Sequence, residues 1–363
     1  MTNFWQNLPQ PFVGMAPMDG VTDQPLRHIL CKYSSPDLIF TEFVNVEGLC
    51  HNAKQLLRPL LYDGSQRPIV AQLYGKTPES FRQAAILVAQ LGFDGVDINM
   101  GCPAKSVAGA GSGAGLIKNP QLALQIIKAV KKGVSDWQNG LSCSDCTDFS
   151  SDFCKQVEKQ RQQAGLQPIK EIKQRSSIPV SIKTRLGHDS KDVGGWIKLL
   201  LEAKPTALTV HGRTLKQAYK GKADWEAIFQ VVALAKEMNS DTLIVGNGDV
   251  QSRTEGIRAA QKHQVNGVLI GRAAQGNPFV FDKDTFTTSS TFHKQLATIA
   301  LEHAQLFEET FSTQEKYSFL PVRKHLAWYI KGFPQASQIR QQLVQTNSSK
   351  EVEKVLSAYG LLN

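Results

Sequence analysis

A single thiol stands out at the end of an apolar segment, just before a glycine-rich stretch. Residues 97–120 read DINMGCPAKSVAGAGSGAGLIKNP and place Asn99 three residues before Cys102. A cysteine thiol has an ordinary pKa of about 8.5, so at neutral pH it keeps its proton and can act as an acid. Three interpretations compete: a phosphate cradle, a structural turn, or a reactive cysteine under a mobile loop.

Cys102 follows one of eight short apolar segments that alternate with longer amphipathic ones. This pattern predicts parallel strands joined by helices, two of them over residues 78–92 and 119–133. Eight such units favour an α/β fold of the closed (β/α)8 TIM-barrel type over an open doubly wound sheet. The predicted strands are residues 12–18, 38–43, 68–75, 95–101, 178–187, 207–213, 242–249 and 267–272.

Polar residues stand at the ends of most of these strands. In a barrel the carboxyl ends of all strands meet at one face, where active sites lie, so the sequence predicts a site there. The strand-end residues are Gln72, Asn99, Cys102, Lys183, Arg185, His211, Arg213, Asn247, Asp249, Gly271 and Arg272.

The ends of the last two strands suit a phosphate group. Glycines in VGNGDV (245–250) and GVLIGR (267–272) let the backbone approach closely, and Arg272 adds charge. Lys183 and Gln72 could bind the edge of a flavin ring, which together with the phosphate indicates FMN. Alternatively, Lys183 only neutralises a sugar phosphate, as in isomerase barrels, with Glu42 as a candidate base.

The carboxyl-terminal part has a different pattern. From about residue 289 the sequence is helical without strand signals, which predicts a boundary near residue 285 and a helical-bundle domain over 290–363. Basic and aromatic residues interleave over residues 317–334, an arrangement that suits phosphate pairing and base stacking but also simple packing of a bundle. A net charge of +9 agrees with a polyanionic partner.

Residues 134–176 form a predicted polar insertion between the fourth helix and the fifth strand. Cys143 and Cys146 have the spacing of zinc ligands, but Cys154 is the only further cysteine nearby, so we expect no metal and a solvent-exposed lobe. No 18-residue apolar run and no signal peptide are apparent, so we expect a cytoplasmic protein without membrane spans and with reduced cysteines.

Seven motifs in register at the strand ends resemble those of the tRNA-dihydrouridine synthase family (Dus). The segment RKHLAWY (323–329) is similar to the tRNA-binding helical domain of the B-type bacterial members. The resemblance covers nearly the whole chain except the insertion. The motifs are APMDGVTD (16–23), AQLYG (71–75), DINMGCPAKSV (97–107), KTRLG (183–187), HGRT (211–214), NGD (247–249) and IGR (270–272).

The resemblance implies an activity and a division of the chain. Family members reduce uridine in tRNA to 5,6-dihydrouridine with FMN and NADPH, and the B-type likeness points to the D-loop. Hydride passes from flavin N5 to uracil C6, and Cys102 then protonates C5. The implied domains are an FMN-binding barrel over 1–285 and a tRNA-binding domain over 290–363, in a monomer.

The resemblance also assigns residues to roles. Asp19 departs from the small residue of the B-type members, and AGAGSGAG (108–115) replaces bulkier or basic residues, so we expect an unusually mobile loop. The implied flavin-binding residues are Pro17, Met18, Asp19, Gln72, Asn99, Lys183, His211, Asn247, Gly248, Asp249, Gly271 and Arg272. The implied tRNA- or uridine-binding residues are Lys105, Arg185, Arg213, Arg323 and Lys324.

Two other functions share parts of this pattern. An FMN barrel acting on a free pyrimidine, like a dihydroorotate dehydrogenase, would need the same phosphate loops and lysine but no helical domain. A non-catalytic tRNA-binding protein that kept the barrel as a scaffold would lack Cys102 or the flavin-binding residues, and this chain has them.

Overall fold

A computed structural model describes residues 3–282, 290–314 and 316–362. Eight strands pair in parallel and in sequence order, and the eighth pairs with the first, so the sheet closes into a barrel. The predicted (β/α)8 barrel is thus confirmed. The strands are β1 (Phe12–Met15), β2 (Ile39–Asn45), β3 (Ile69–Tyr74), β4 (Gly95–Met100), β5 (Val180–Arg185), β6 (Ala207–His211), β7 (Leu243–Asn247) and β8 (Gly267–Ile270).

Helices connect these strands and continue after the last one. In the part of the chain that the structure describes, no helix is both long and apolar enough to cross a membrane. The α-helices are α1 (Gln24–Tyr33), α2 (Val46–Cys50), α3 (Pro78–Gln90), α4 (Lys105–Ala108), α5 (Pro120–Gln138), α6 (Ser151–Gln163), α7 (Lys198–Glu202), α8 (Trp225–Glu237), α9 (Arg253–His263), α10 (Ser290–Phe311), α11 (Leu320–Tyr329), α12 (Ala336–Leu343) and α13 (Ser349–Ala358).

Strand alternation separates the packing side chains from the chemical ones. In β4, Val96, Ile98 and Met100 belong to the hydrophobic core shared with the surrounding helices, whereas Asp97 and Asn99 point into the barrel. The register then places Asn99 beside Lys183 on the next strand. The same two-residue period therefore builds the core and lines the barrel.

The amino-terminal end of the barrel is closed by an apolar plug. A short 3-10 helix, Phe4–Asn7, places the buried Trp5 edge-on against Phe12, with the ring centroids 5.8 Å apart. Inward-facing apolar residues such as Phe40 and Val245 complete this layer. This end is filled, and the cavity of the barrel lies at the carboxyl ends of the strands.

Helices α10–α13 have a hydrophobic core of their own and pack on the barrel through α1. Ile29 of α1 is part of that core, and Glu302 of α10 accepts hydrogen bonds from Lys32 (2.7 Å) and Tyr33 (2.6 Å). The predicted all-helical structure of this region is present. The predicted boundary near residue 285 lies outside the described residues.

The segment predicted as a polar insertion differs from the exposed lobe that we expected. Its first residues, from 134, still belong to α5, because that helix extends to Gln138. Beyond it, Phe149, Phe153 and Val157 are buried in the main hydrophobic core. Apolar residues spaced along α6 thus pack the segment onto the outside of the barrel.

Candidate active site at the carboxyl ends of the strands

The carboxyl ends of the strands surround a cavity of about 1570 Å³. Tyr329 and Lys331, at and after the end of α11, also line it, so the helical region forms part of its wall. The structure brings together, as lining residues, every predicted cofactor residue and two of the others: Pro17, Met18, Asp19, Gln72, Asn99, Cys102, Lys183, Arg185, His211, Asn247, Gly248, Asp249, Gly271 and Arg272.

A chain of hydrogen bonds runs beneath the cavity and ends at the cysteine. The carboxylate of Asp97 accepts bonds from Ser181 (2.6 Å) and from the Gln72 amide (2.7 Å). The Gln72 carbonyl accepts a bond from Asn99 (2.9 Å). Asn99 Oδ1 in turn accepts the backbone N–H of Cys102 (2.9 Å). Each donor–acceptor bond fixes the amide orientation of the next group, so the position of the Cys102 backbone is determined by the barrel interior.

Cys102 lies half-buried in the cavity wall. Burial raises the pKa of its thiol above the ordinary value, and the nearby carboxylate of Asp19 raises it further. The thiol is therefore protonated at neutral pH, as a proton donor requires.

Two of the glycines after Cys102, Gly113 and Gly115, permit close packing of the segment. Gly113 has a φ of +55°, and a Cβ there would lie 2.9 Å from Val107 and 3.2 Å from the Cys102 Cβ. A Cβ at Gly115 would lie 2.4 Å from the carbonyl oxygen of Ala108. The segment folds as α4 and a 3-10 helix, Gly113–Lys118, packed against the residue that carries the thiol.

Lys183 reaches into the cavity from β5. Burial and the neighbouring Arg185 lower the pKa of its ammonium to about 8. Within the described ranges, the Lys183 ammonium has no hydrogen-bond or ion-pair partner on the protein. A half-buried cation without a partner is suited to bind an anion or a carbonyl oxygen of a ligand.

A polar cluster occupies the ends of β6 and β7. The Arg213 guanidinium donates to Asp249 (2.6 Å), and it lies 3.2 Å from His211 Nε2. Burial and the surrounding cations hold the pKa of His211 far below its usual range, so the imidazole is neutral. Arg272 also binds Asp249 (3.0 Å), which leaves its exposed guanidinium at the rim of the cavity.

Two glycines after β7 and β8 leave space in this part of the cavity wall. Gly248 has a φ of +132°, and a Cβ there would lie 2.6 Å from Ala223, so glycine is required. A Cβ at Gly271 would meet nothing closer than Met18 Sδ at 3.6 Å, which leaves open space for a ligand. The Asn247 amide is oriented by its bond to the Leu269 carbonyl (2.8 Å).

The predicted tRNA-binding residues do not form one surface. Arg185 lines the cavity, yet its guanidinium donates to the carbonyls of Gly101 (2.7 Å) and Ala218 (2.9 Å), which holds two loops together. Arg213 is buried, and Arg323 donates to the Thr346 carbonyl (2.7 Å) in the turn between α12 and α13. Lys105 is exposed on α4, outside the cavity lining.

Lys324 connects the helical region with the barrel mouth. Its ammonium nitrogen lies 3.1 Å from where a Cβ at Gly20 would be, and its charge offsets part of the rise that burial causes in the pKa of Asp19. Behind this loop, burial raises the pKa of Glu42 to about 7, and Asp23 adds to the effect. Glu42, the base that the isomerase alternative relied on, is not among the residues that line the cavity.

Sequence reasoning missed two residues. Asp97, one residue before the apolar Ile98, anchors the hydrogen-bond chain; the alternation of β4 was the signal for its inward direction. Tyr219 lines the cavity although its side chain is 58% exposed, and the Arg185 and Arg272 guanidinium carbons lie 5.7 and 5.6 Å from its ring centroid. It lies in a loop, where no periodicity indicates direction.

Comparison with known proteins shows to which family the chain belongs. The family model described as dihydrouridine synthase (Dus) matches residues 14–167 and 159–360. The chain belongs to the dihydrouridine synthase family. A relative described as probable tRNA-dihydrouridine synthase 2 of Bacillus subtilis is 35% identical over 360 residues, covering 98% of this chain and 96% of the relative.

A second relative has nearly the same description. A probable tRNA-dihydrouridine synthase of Staphylococcus epidermidis is 34% identical over 98% of this chain and 96% of its own length. Among solved structures, TcOYE with pHBA has a TM-score of 0.41 and 12% identity, covering 75% of this chain and 87% of that chain. Dihydrouridine synthases are flavin-dependent oxidoreductases, and this chain is an enzyme of that class.

Proposed function

We propose that the protein reduces uridines of the tRNA D-loop to 5,6-dihydrouridine, with FMN in the cavity, NADPH as reductant and Cys102 as proton donor. The observation that carries the proposal is the position of the half-buried Cys102 in the wall of a cavity that polar strand ends also line, where burial raises the pKa of its thiol. The names of the relatives, which are probable tRNA-dihydrouridine synthases, support the substrate class.

The residues of the cavity fit a flavin mononucleotide. The unpartnered Lys183 ammonium suits the electron-rich side of an isoalloxazine ring, and the Gln72 amide lies within the same wall. The open space at Gly271 and the free rim side of the Arg272 guanidinium suit a phosphate group. The volume of about 1570 Å³ exceeds that of ordinary ligand pockets, which leaves room for a nucleoside beside the cofactor.

Side chains of the protein supply the proton and hold the proton donor in place. When bound, the flavin supplies the hydride that uracil C6 accepts. Cys102 donates its proton to uracil C5, and its raised pKa keeps that proton in place until a basic carbon forms nearby. Asn99 accepts the backbone N–H of Cys102 and so holds the Cys102 backbone in place, while the Cys102 side chain lines the cavity.

The helical region supports a polynucleotide substrate. Lys331 and Tyr329 extend the cavity wall beyond the barrel, and Lys331 is exposed. A base in folded tRNA must leave its stack to enter such a cavity, and cations around the entrance then bind the flanking phosphates. A free pyrimidine, the substrate of a dihydroorotate dehydrogenase, would not need this extended wall.

The test is an absorption spectrum of the purified protein followed by its two half-reactions. We expect flavin bands, bleaching by NADPH faster than by NADH, and recovery on anaerobic addition of tRNA that lacks dihydrouridine. Sequencing of the product tRNA then gives the modified position, which we expect in the D-loop.

Two controls separate the parts of the proposal. Release of the cofactor by heat and its chromatography distinguish FMN from FAD. Orotate or free uridine in place of tRNA tests the small-pyrimidine alternative, which recovery with these compounds but not with tRNA would favour. A colourless protein that takes up no added FMN contradicts the cofactor assignment.

A further inference from the structure

The carboxylate of Asp97 lies one layer below the cavity, and the proposed function makes no use of its charge. Asp97 is fully buried, two residues before the cavity-lining Asn99 on β4. The Ser181 hydroxyl (2.6 Å) and the Gln72 amide (2.7 Å) donate hydrogen bonds to it. Both donors are neutral groups, so they stabilise the carboxylate without balancing its charge.

Hydrogen bonding alone does not require an acid at this position. An asparagine could accept the bond from Gln72 through its side-chain oxygen and donate its own amide to the Ser181 oxygen, because a hydroxyl both donates and accepts. Burial of a carboxylate costs more free energy than burial of an amide unless an opposite charge lies nearby. The charge of Asp97 therefore points to a cation in the same part of the barrel.

The strand register identifies that cation as Lys183. Asp97 pairs with Ser181 and Asn99 pairs with Lys183, so Lys183 is the diagonal neighbour of Asp97 on the next strand. Ser181 bonds to Asp97 and Lys183 lines the cavity, so all three side chains point into the barrel. A strand spacing of about 4.8 Å and a rise of about 6.6 Å over two residues place the diagonal neighbours about 8 Å apart. Two opposite charges thus occupy successive layers of the barrel interior.

The other titratable groups around the Lys183 ammonium do not supply a negative charge. The groups that face it are Asp97 on β4, Cys102 after β4, Arg185 on β5 and His211 on β6. Arg185 is a cation, the raised pKa of Cys102 keeps its thiol protonated, and His211 is neutral. Burial raises the pKa of Asp97 to about 6, so its carboxylate is ionised at pH 7 and is the anion of this group.

We propose that Asp97 is a positioning residue that acts through Lys183: its buried carboxylate supplies the counter-charge that keeps the Lys183 ammonium charged beside the bound ligand. The inference rests on the proposed function in taking this ligand to be the flavin. A cation beside the ring stabilises the negative charge that a flavin gains on reduction. Asp97 is not among the residues that line the cavity, so it acts on the ligand only through its neighbour.

The test begins with the free energy of unfolding of the full-length protein. Asp97→Asn removes the charge and keeps the shape and the hydrogen-bonding capacity of the side chain. It is combined with Lys183→Met in a double-mutant cycle, measured by urea unfolding with excess FMN present throughout. Asp241→Asn is the matched control, because it removes the same charge from an exposed residue just before β7.

We expect the two substitutions to be strongly non-additive at pH 7. Each alone leaves one buried charge without its counter-charge, so the double variant should lose less stability than the two single variants together. The difference should be at least about fivefold in the unfolding equilibrium constant. The coupling should vanish near pH 5, because Asp97 binds a proton below its pKa of about 6. Asp241→Asn should be additive with Lys183→Met at both pH values.

The pH profile of flavin reduction by NADPH is the second readout. Removal of a nearby negative charge makes an ammonium lose its proton at lower pH. The decline that the lowered pKa of Lys183 predicts should therefore move down by about one pH unit in Asp97→Asn and stay in place in Asp241→Asn. A purely structural role of Asp97 would lower the rate at every pH without moving the decline.

Two results overturn the proposal: additivity of Asp97→Asn with Lys183→Met at pH 7, and a decline that does not move in Asp97→Asn. Coupling that persists unchanged at pH 5 also contradicts it, because the charge of Asp97 is then not its source. A protein that binds no FMN contradicts the proposed function, whereas the unfolding cycle still decides whether the two charges are coupled.

A single variant decides the question if Asp97→Asn does not fold. In Lys183→Met the ionised Asp97 loses its counter-charge, and this cost is present at pH 7 and absent once the carboxylate is protonated. The variant should therefore lose more stability relative to the wild type at pH 7 than at pH 5. Equal losses at the two pH values overturn the proposal.

Discussion

The side-chain oxygen of Asn99, in β4, accepts the backbone N–H of Cys102, which lies two residues past the end of that strand, at 2.9 Å. The same asparagine donates to Gln72, whose amide is held by Asp97. The position of the proposed acid is therefore determined by residues inside the barrel, while its thiol remains free to meet a substrate.

Replacing Cys102 with alanine removes the proposed proton donor. Loss of a general acid costs about 10²-fold or more, so we expect tRNA-dependent reoxidation of the reduced flavin to slow by that factor. Flavin content and bleaching by NADPH should be unchanged, because Cys102 acts only in the second half-reaction. Stopped-flow spectroscopy measures both steps, with Cys31→Ala as control; wild-type reoxidation by tRNA in Cys102→Ala contradicts the assignment.

Replacing Asn99 with alanine removes the acceptor for the Cys102 N–H and the donor to Gln72. We expect tRNA reduction to fall about tenfold and the protein to lose about 1–3 kcal/mol of stability, since buried partners are left unsatisfied. The matched control is Ile98→Val, which changes the outward-facing neighbour. It should cost about 1 kcal/mol and leave turnover intact. Equal effects of both variants on turnover would argue against a positioning role.

The charge of Lys183 predicts a pH dependence. Its pKa is lowered to about 8, so its positive charge is present below that pH and is lost as the pH rises through it. A bound anionic group raises this value, which places the step at or above pH 8. We expect flavin reduction by NADPH to decline over that range. Lys183→Arg should remove the decline, because arginine stays charged. If flavin reduction in this variant declines over the same pH range as in the wild type, Lys183 is not the source of the decline.

Gly115 tests whether the segment after Cys102 is packed or loose. A Cβ at this position would lie 2.4 Å from the Ala108 carbonyl oxygen, so Gly115→Ala should lower stability by about 1–3 kcal/mol. Gly64→Ala is the control, because a Cβ there meets nothing within 4 Å. Thermal unfolding followed by circular dichroism gives the difference, and an unchanged midpoint would favour the mobile loop that the sequence suggested.

Lys331 tests the contribution of the helical region to substrate binding. This exposed lysine lines the cavity, so Lys331→Glu should weaken tRNA binding several-fold. The slope of the logarithm of affinity against the logarithm of salt concentration should become shallower, by the equivalent of about one to two phosphate contacts. Lys350→Glu makes the same charge change on the exposed surface of α13 and serves as control. Filter binding over a range of salt concentrations measures both; equal weakening would indicate general attraction rather than docking at the cavity.

Most of what could be predicted from the sequence came from the periodic spacing of its apolar residues. The eight strands and the convergence of Gln72, Asn99 and Lys183 follow from alternation and from parallel connection, which are local properties. The bonds of Arg185 and Arg323 to backbone carbonyls could not be predicted, because they depend on how loops distant in sequence approach each other.

The two-residue alternation of β4 also divides the consequences of mutation. Ile98 and Met100 face the helices, whereas Asp97 and Asn99 face the barrel interior, where Asn99 lines the cavity. Neighbouring codons are thus subject to different selection, one for the amount of folded enzyme and the next for its turnover. An evolving lineage can exchange the inward set to accept another substrate while the outward set goes on maintaining the barrel.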